Sequence, residues 1–234
     1  MNYFIACNDA DAAKFGASNF IDGDTAQVVK ITQAYYTQND KGTQTLHLSL
    51  ISSEKQTGDV AIHFANGQGE RLIGYNLINA ILKVTGTAGI TQAQGTYSAY
   101  DFNAGGTVNK QGMVAPELVG KFFGAIFSKN YRINDKGEEK YSINLFGVYH
   151  AQTQQWAKQM INGEQALPGQ IDQMLERAKA ESEKSRANPY GKRQTQQVSY
   201  QQNSQARPHP QSHVQPYSPP VQYGKNVSDD DMPF

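Results

Sequence analysis

Two groups of residues in this 234-residue chain carry chemistry that an ordinary core does not need. The first is a series of flat rings interleaved with cations: Lys30, Tyr35, Tyr36, Lys121, Phe123, Lys129, Tyr131, Arg132, Lys140, Tyr141 and Tyr149. Rings stack on bases of any identity and cations meet phosphates, so the set suits a single nucleic-acid strand read without regard to sequence. Strand aromatics more often fill a core, so each ring also has a structural reading. The second group is Asp229-Asp230-Asp231-Met232-Pro233-Phe234. Three adjacent acids repel and stay solvated, and Pro233 denies the segment a helix or a central strand. These six residues read as a ligand for a partner that offers an apolar pocket for Phe234 within a basic rim.

Charge narrows how the rings must work. The chain is formally neutral. Lys192, Arg193, Arg207 and Lys225 are the charged residues between 188 and 228, and the three aspartates follow them. The remainder is close to balance, so a nucleic-acid path is a local groove with stacking, not a uniformly positive face.

Catalytic chemistry has little support. His47, His63 and His150 lack metal-ligand spacing, and there is neither a nucleophile elbow nor a phosphate-cradling loop. Gly67 and Gly69 make a turn, not a dinucleotide fingerprint. A metal-dependent nuclease would have to gather scattered acids from afar. The expectation is a non-enzyme with no cofactor and no metal. The single cysteine, Cys7, excludes an internal disulfide framework and reads as a small core residue of a cytoplasmic protein. Met1 to Ala6 lack a basic region followed by a long apolar stretch, so neither a signal peptide nor a membrane span is expected.

The elements that must position these residues follow from periodicity and turns. Tyr3–Ala6 is a short strand, and Thr25 to Tyr36 is strand-like after the turn at Asp22-Gly23-Asp24. Asn39-Asp40-Lys41-Gly42 turns the chain into Thr45–Leu50, where Leu46, Leu48 and Leu50 face the core and His47 faces away. Val60–Phe64 is the third strand. Glu70 to Val84 is helical, with Leu72, Ile73, Leu77, Ala80, Ile81 and Val84 on one face and Gly86 as the stop.

Residues 85–116 are too long for a plain connector. They form either a strand pair whose Tyr97, Tyr100 and Phe102 clamp a single strand with Lys110 nearby, or an insertion that folds its rings back onto the core. Leu118–Phe127 is the next strand, followed by a basic and aromatic loop with Lys129, Tyr131 and Arg132, and then a last strand from Lys140 to Tyr149. Three strands, a helix and two strands are the element order of the five-stranded OB barrel, with its helix between strands 3 and 4. The fold class is therefore mainly β, with a helical extension over 151–187 whose charged run, Glu176 to Arg186, is a solvated helix end. Residues 188–228 hold nine Gln and six Pro with almost no aliphatic side chains, which predicts a disordered linker carrying Tyr190, Tyr200, Tyr217 and Tyr223 as scattered rings.

The last six residues closely resemble the tip of bacterial single-stranded DNA-binding proteins, in which aspartates precede one aliphatic residue and Pro-Phe. Met232 stands here at the aliphatic place. The resemblance implies an OB-fold DNA-binding domain over 1–150, a linker over 188–228, and a tip over 229–234 that recruits replication, recombination and repair proteins. Val119 to Leu175, with Leu118-Val119-Gly120-Lys121 and Leu145-Phe146-Gly147-Val148-Tyr149, resembles phage-encoded members of the same group and implies a bacterial or phage-infected cell. An adaptor whose OB-like body binds protein or RNA, with the tip still recruiting, is the alternative. A homo-oligomer and a monomer both fit.

Overall fold

The computed structural model describes residues 19–101 and 103–190. The expected strand at Tyr3–Ala6, Cys7, Phe102, the linker from residue 191 and the tip lie outside the described residues. The described part is mainly β: seven strands in one antiparallel sheet, β1 (Ala26–Gln38), β2 (Gln44–Ser52), β3 (Thr57–Ala65), β4 (Ala93–Asp101), β5 (Gly106–Val114), β6 (Phe122–Ile133) and β7 (Glu139–Tyr149). Three α-helices accompany them: α1 (Ile73–Val84), α2 (Ala157–Asn162) and α3 (Gln170–Ala187).

Strand β1 is the hub, because it pairs β2 along its length, β6 through residues 26–30 and β5 at Tyr35. Five strands were expected, and the additional two are β4 and β5, a regular hairpin built from residues 85–116. Among the described residues no strand ladder joins β3 to β7, so the sheet stays open by pairing. The two strands still approach, since a Cβ at Gly58 on β3 would sit 3.0 Å from the Ile143 side chain of β7. No described helix is long and apolar enough to cross a membrane.

The core fills one side of β1, β2 and β3. Leu46, Leu48 and Leu50 are buried as alternation requires, beside Ile31, Phe123 and Phe127. Helix α1 covers them with most of the expected face, since Ile81 and Val84 are buried and Leu77 and Ala80 pack against the core, and the exception is at its start. Ile73 is 88% exposed, whereas Gly74, Ile78, Ile81 and Val84 are buried. The close approach of the helix to β3 explains this: a Cβ at Gly74 would stand 2.2 Å from the His63 carbonyl oxygen, which puts Gly74 against the strand and rotates Ile73 away.

Beyond residue 127, β6 departs from the expected loop. Lys129, Tyr131 and Arg132 lie on the strand, paired with Ile143, Tyr141 and Lys140 of β7. The expected strand start at Leu118 is instead a 3₁₀ turn over Pro116–Leu118, and Gly120 then adopts φ +84° before β6 begins. The charged end of α3 is also not merely solvated. Ser182 and Ser185 accept hydrogen bonds from the Lys129 and Tyr131 backbone N–H groups, both at 2.8 Å, and Ala178 and Ser182 are buried. Past the helix, the Tyr190 backbone accepts from the Ile133 N–H and donates to the Tyr131 carbonyl, while its ring stays exposed. The helix and Tyr190 thus satisfy a strand edge that would otherwise present open donors.

Candidate functional site

One irregularity in β1 decides which rings reach the surface. The β1–β2 register shifts between Ile31 and Gln33, a bulge that places Thr32 as the extra residue. Lys30 pairs Ile51, Gln33 pairs Ser49 and Tyr35 pairs His47, so Lys30 and Tyr35 share the outer face although five positions separate them. The same bulge turns Tyr36 inward, where it packs on the core edge-to-face with Phe64 at 6.1 Å. Burial, aided by Glu117, pushes its phenol up to about 12.

On the outer face three rings from three strands form a row. Tyr97 of β4 stacks on Tyr35 of β1 at 4.0 Å between centroids, and Tyr35 stacks on His47 of β2 at 4.8 Å with only 4° between planes. The second separation matches the spacing of neighbouring strands, so the rings stand upright with their faces directed along the row. Tyr97 reaches Tyr35 by crossing β5 at Gly112, where a Cβ would lie 2.9 Å from the ring. The Gln33 side chain accepts the Ser98 N–H at 2.7 Å and pins the same arm to β1.

Between the β1–β3 face and the β4–β5 arm lies an open groove of about 740 Å³, lined by residues that include Phe20, Gln33, Tyr35, Asp59, Ser98 and Tyr100. At the β6 side of the face Lys30 sits over the Phe122 ring, 5.7 Å from its centroid.

His47 donates to or accepts from the Thr37 hydroxyl at 2.8 Å. Burial, with a smaller push from His63, holds its imidazole below the usual value of 6.5, against a pull from Asp59. As the pH falls, the unfolded chain therefore takes up this proton first. The stability contributed by the neutral ring is complete above about pH 6.5 and declines as the pH drops toward the lowered folded value. His47→Phe is expected to make the stability profile shallower between about pH 7.5 and 5.5 in urea unfolding. An unchanged slope would mean that the ring takes up its proton alike in the folded and unfolded chains.

No family model and no curated protein matches this chain. The geometry therefore carries the assignment, and it sorts the expected residues into three places. Lys30 and Tyr35 lie on the outer face of β1, and Lys121 precedes Phe122, the cross-strand partner of Lys30. Phe123 and Tyr149 are corrections. Phe123 is 0% exposed and Tyr149 5%, so neither ring offers a face to a ligand. Period two explains the first error, since the neighbour Phe122 takes the outward position at 55% exposure. Tyr149 lies against Gly124 and meets Trp156 edge-on at 5.9 Å, beneath α3.

Lys129, Tyr131 and Tyr141 come together, but their charges are satisfied internally. Lys129 pairs with Asp22 at 3.1 Å and lies 3.9 Å from Asp24, and its stem passes directly over Gly23. The Tyr141 hydroxyl donates to Asp22 at 3.0 Å, and the Tyr131 ring lies between Tyr141 and the Arg186 guanidinium. Burial alone would raise the Asp22 carboxyl, yet hydrogen bonds from Lys129 and Tyr141 and the lysine charge hold it low. Lys129 is raised in turn: burial disfavours its charge, and Asp22 more than offsets that. This cluster is a clasp joining residues 22–24, the β6–β7 hairpin and α3. Lys129→Met keeps the stem and removes the charge, and because Asp22 is half-exposed and keeps its bonds from Tyr141 and the Gly23 N–H it is expected to cost about 0.5–1 kcal/mol. Urea unfolding checks this, and an unchanged midpoint would show that the clasp contributes nothing.

Arg132 and Lys140 face each other across β6 and β7 in an exposed pair, with Lys140 held 3.3 Å from Glu138. The set missed from sequence is His47 as a stacked ring, Phe122 and Gln33. Among the described residues no group of three His, Cys, Asp or Glu side chains is placed to hold a metal ion.

Proposed function

We propose that the outer face of β1, β2 and β3 binds single-stranded DNA without regard to sequence, and that the tip at 229–234 recruits proteins of replication, recombination and repair. The observation that carries this reading is the upright row Tyr97–Tyr35–His47 beside an open groove. Rings whose faces point along a sheet present a stacking direction to bases, and stacking is indifferent to base identity. The near-neutral charge of the chain favours the same mechanism over a purely electrostatic one.

In this reading β1, β2, β3, β6 and β7 are the five strands of an OB-like body, α1 is its helix, and the β4–β5 hairpin is an inserted arm over the binding face. The protein is then a non-enzymatic cytoplasmic binder of a bacterial or phage-infected cell. The resemblance of the tip to that of single-stranded DNA-binding proteins supports the recruiting role. The β6–β7 clasp takes no part in binding, so Lys129→Met leaves affinity for oligo-dT within about two-fold.

Titration of labelled oligo-dT and of a matched duplex with the full chain, at two salt concentrations, tests the proposal. Binding of the single strand alone, weakened by salt and retained or strengthened when residues 229–234 are removed, is the expected result. Equal or absent binding of the two would leave an adaptor whose body takes protein or RNA.

A further inference from the structure

The row of rings ends abruptly, and its end has the form of a site. Both faces of Tyr35 are covered, one by Tyr97 and the other by His47, so the ring singled out as a base platform offers no face of its own. The remaining face of the His47 imidazole points toward β3, where its cross-strand partner is Ala61. A methyl group is too small to cover an imidazole, and Ala61 is exposed. On either side of this gap the next outward pairs are larger and tied together. Ser49 donates to Asp59 at 2.6 Å on one side, and Thr45 meets His63 at 2.8 Å on the other. Asp59 and His63 are four positions apart on one strand, a span of about 13 Å along β3.

Resting on the proposed function, we infer that one base of the bound strand stacks on the outer face of His47, above Ala61 and between Asp59 and His63, as the fourth ring of the row. The slot is open above the sheet, flat on one wall and polar at both ends. Those are the requirements for a base that inserts edge-first and finds hydrogen-bonding groups at its rim. Asp59 also lines the groove beneath the arm, so the slot and the groove share a wall and one strand can pass from one to the other. The Asp59 carboxylate accepts base N–H groups and repels phosphate, which directs the backbone away from this end of the slot.

The test compares oligo-dT affinity of the full chain with that of Ala61→Leu, by fluorescence anisotropy, with melting curves for both. Leucine fills the slot without supplying a flat face, and its expected effect is a loss of about 5- to 100-fold. Parental affinity in a folded Ala61→Leu variant would overturn the slot and leave the broader reading standing. Should that variant fail to fold, His47→Leu decides: the same loss supports the slot, and unchanged affinity removes it. A parent chain that does not prefer the single strand would end the broader reading itself, and the slot with it.

Discussion

Alanine in place of Gly124 is expected to lower the melting temperature by about 6–12 °C. Gly124 pairs Tyr149 across β6 and β7, and the Tyr149 ring lies flat on the glycine. An added Cβ would fall 1.9 Å from one ring carbon and 2.2 Å from another, distances that no side-chain adjustment short of moving the ring can relieve. The ring has nowhere to go, because Trp156, Ile126 and the α3 residues Met174 and Ala178 enclose it. Overpacking of this kind costs about 1–3 kcal/mol, and a site closed on all sides belongs at the upper end. Tyr149→Ala removes the obstruction, so adding Gly124→Ala to that variant is expected to cost little further. If the glycine substitution costs the same in both backgrounds, the clash is not its cause.

The largest effect on binding is expected from Tyr35→Ala, a loss of about 10- to 100-fold in affinity for oligo-dT. Tyr35 holds the row together from its centre. Without it Tyr97 loses the ring that seats the β4–β5 arm, and His47 loses the support that keeps its plane upright. The base bound beyond His47 then stacks on a mobile ring, and the groove loses one wall. Fold stability changes less, because Tyr35 stands on the outer face and the core residues Ile31 and Ala34 beneath it are untouched. Tyr35→Phe retains the stack and is expected to bind as the parent does. Equal affinities for all three chains would show that the row is structural decoration.

Strand alternation located Leu46, Leu48 and Leu50 correctly, since β2 alternates without interruption from Leu46 to Ser52. The same rule fails across β1, where one extra residue at the bulge reverses the parity and separates Tyr35 from Tyr36 in role. It also could not distinguish Phe122 from Phe123, because consecutive identical residues carry no phase. The clasp around Lys129 was hidden for a different reason. Its partners Asp22, Asp24 and Ser182 lie more than fifty residues away along the chain, and a cation paired in three dimensions looks in sequence like one available for phosphate. The stacked row was legible only in part: Tyr35, His47 and Tyr97 each stood out, but their meeting depends on Gly112 allowing a ring to cross β5.

The measurement that most directly tests the central claim is photo-crosslinking of oligo-dT to the full chain, with the cross-linked residues mapped by peptide mass spectrometry. Cross-links on β1–β3 and the β4–β5 arm, concentrated at His47 and weakened by Ala61→Leu, are the predicted result. Cross-links confined to Tyr131 and Tyr141 on the β6–β7 hairpin would contradict the account, because they would place the strand on the surface that the clasp occupies.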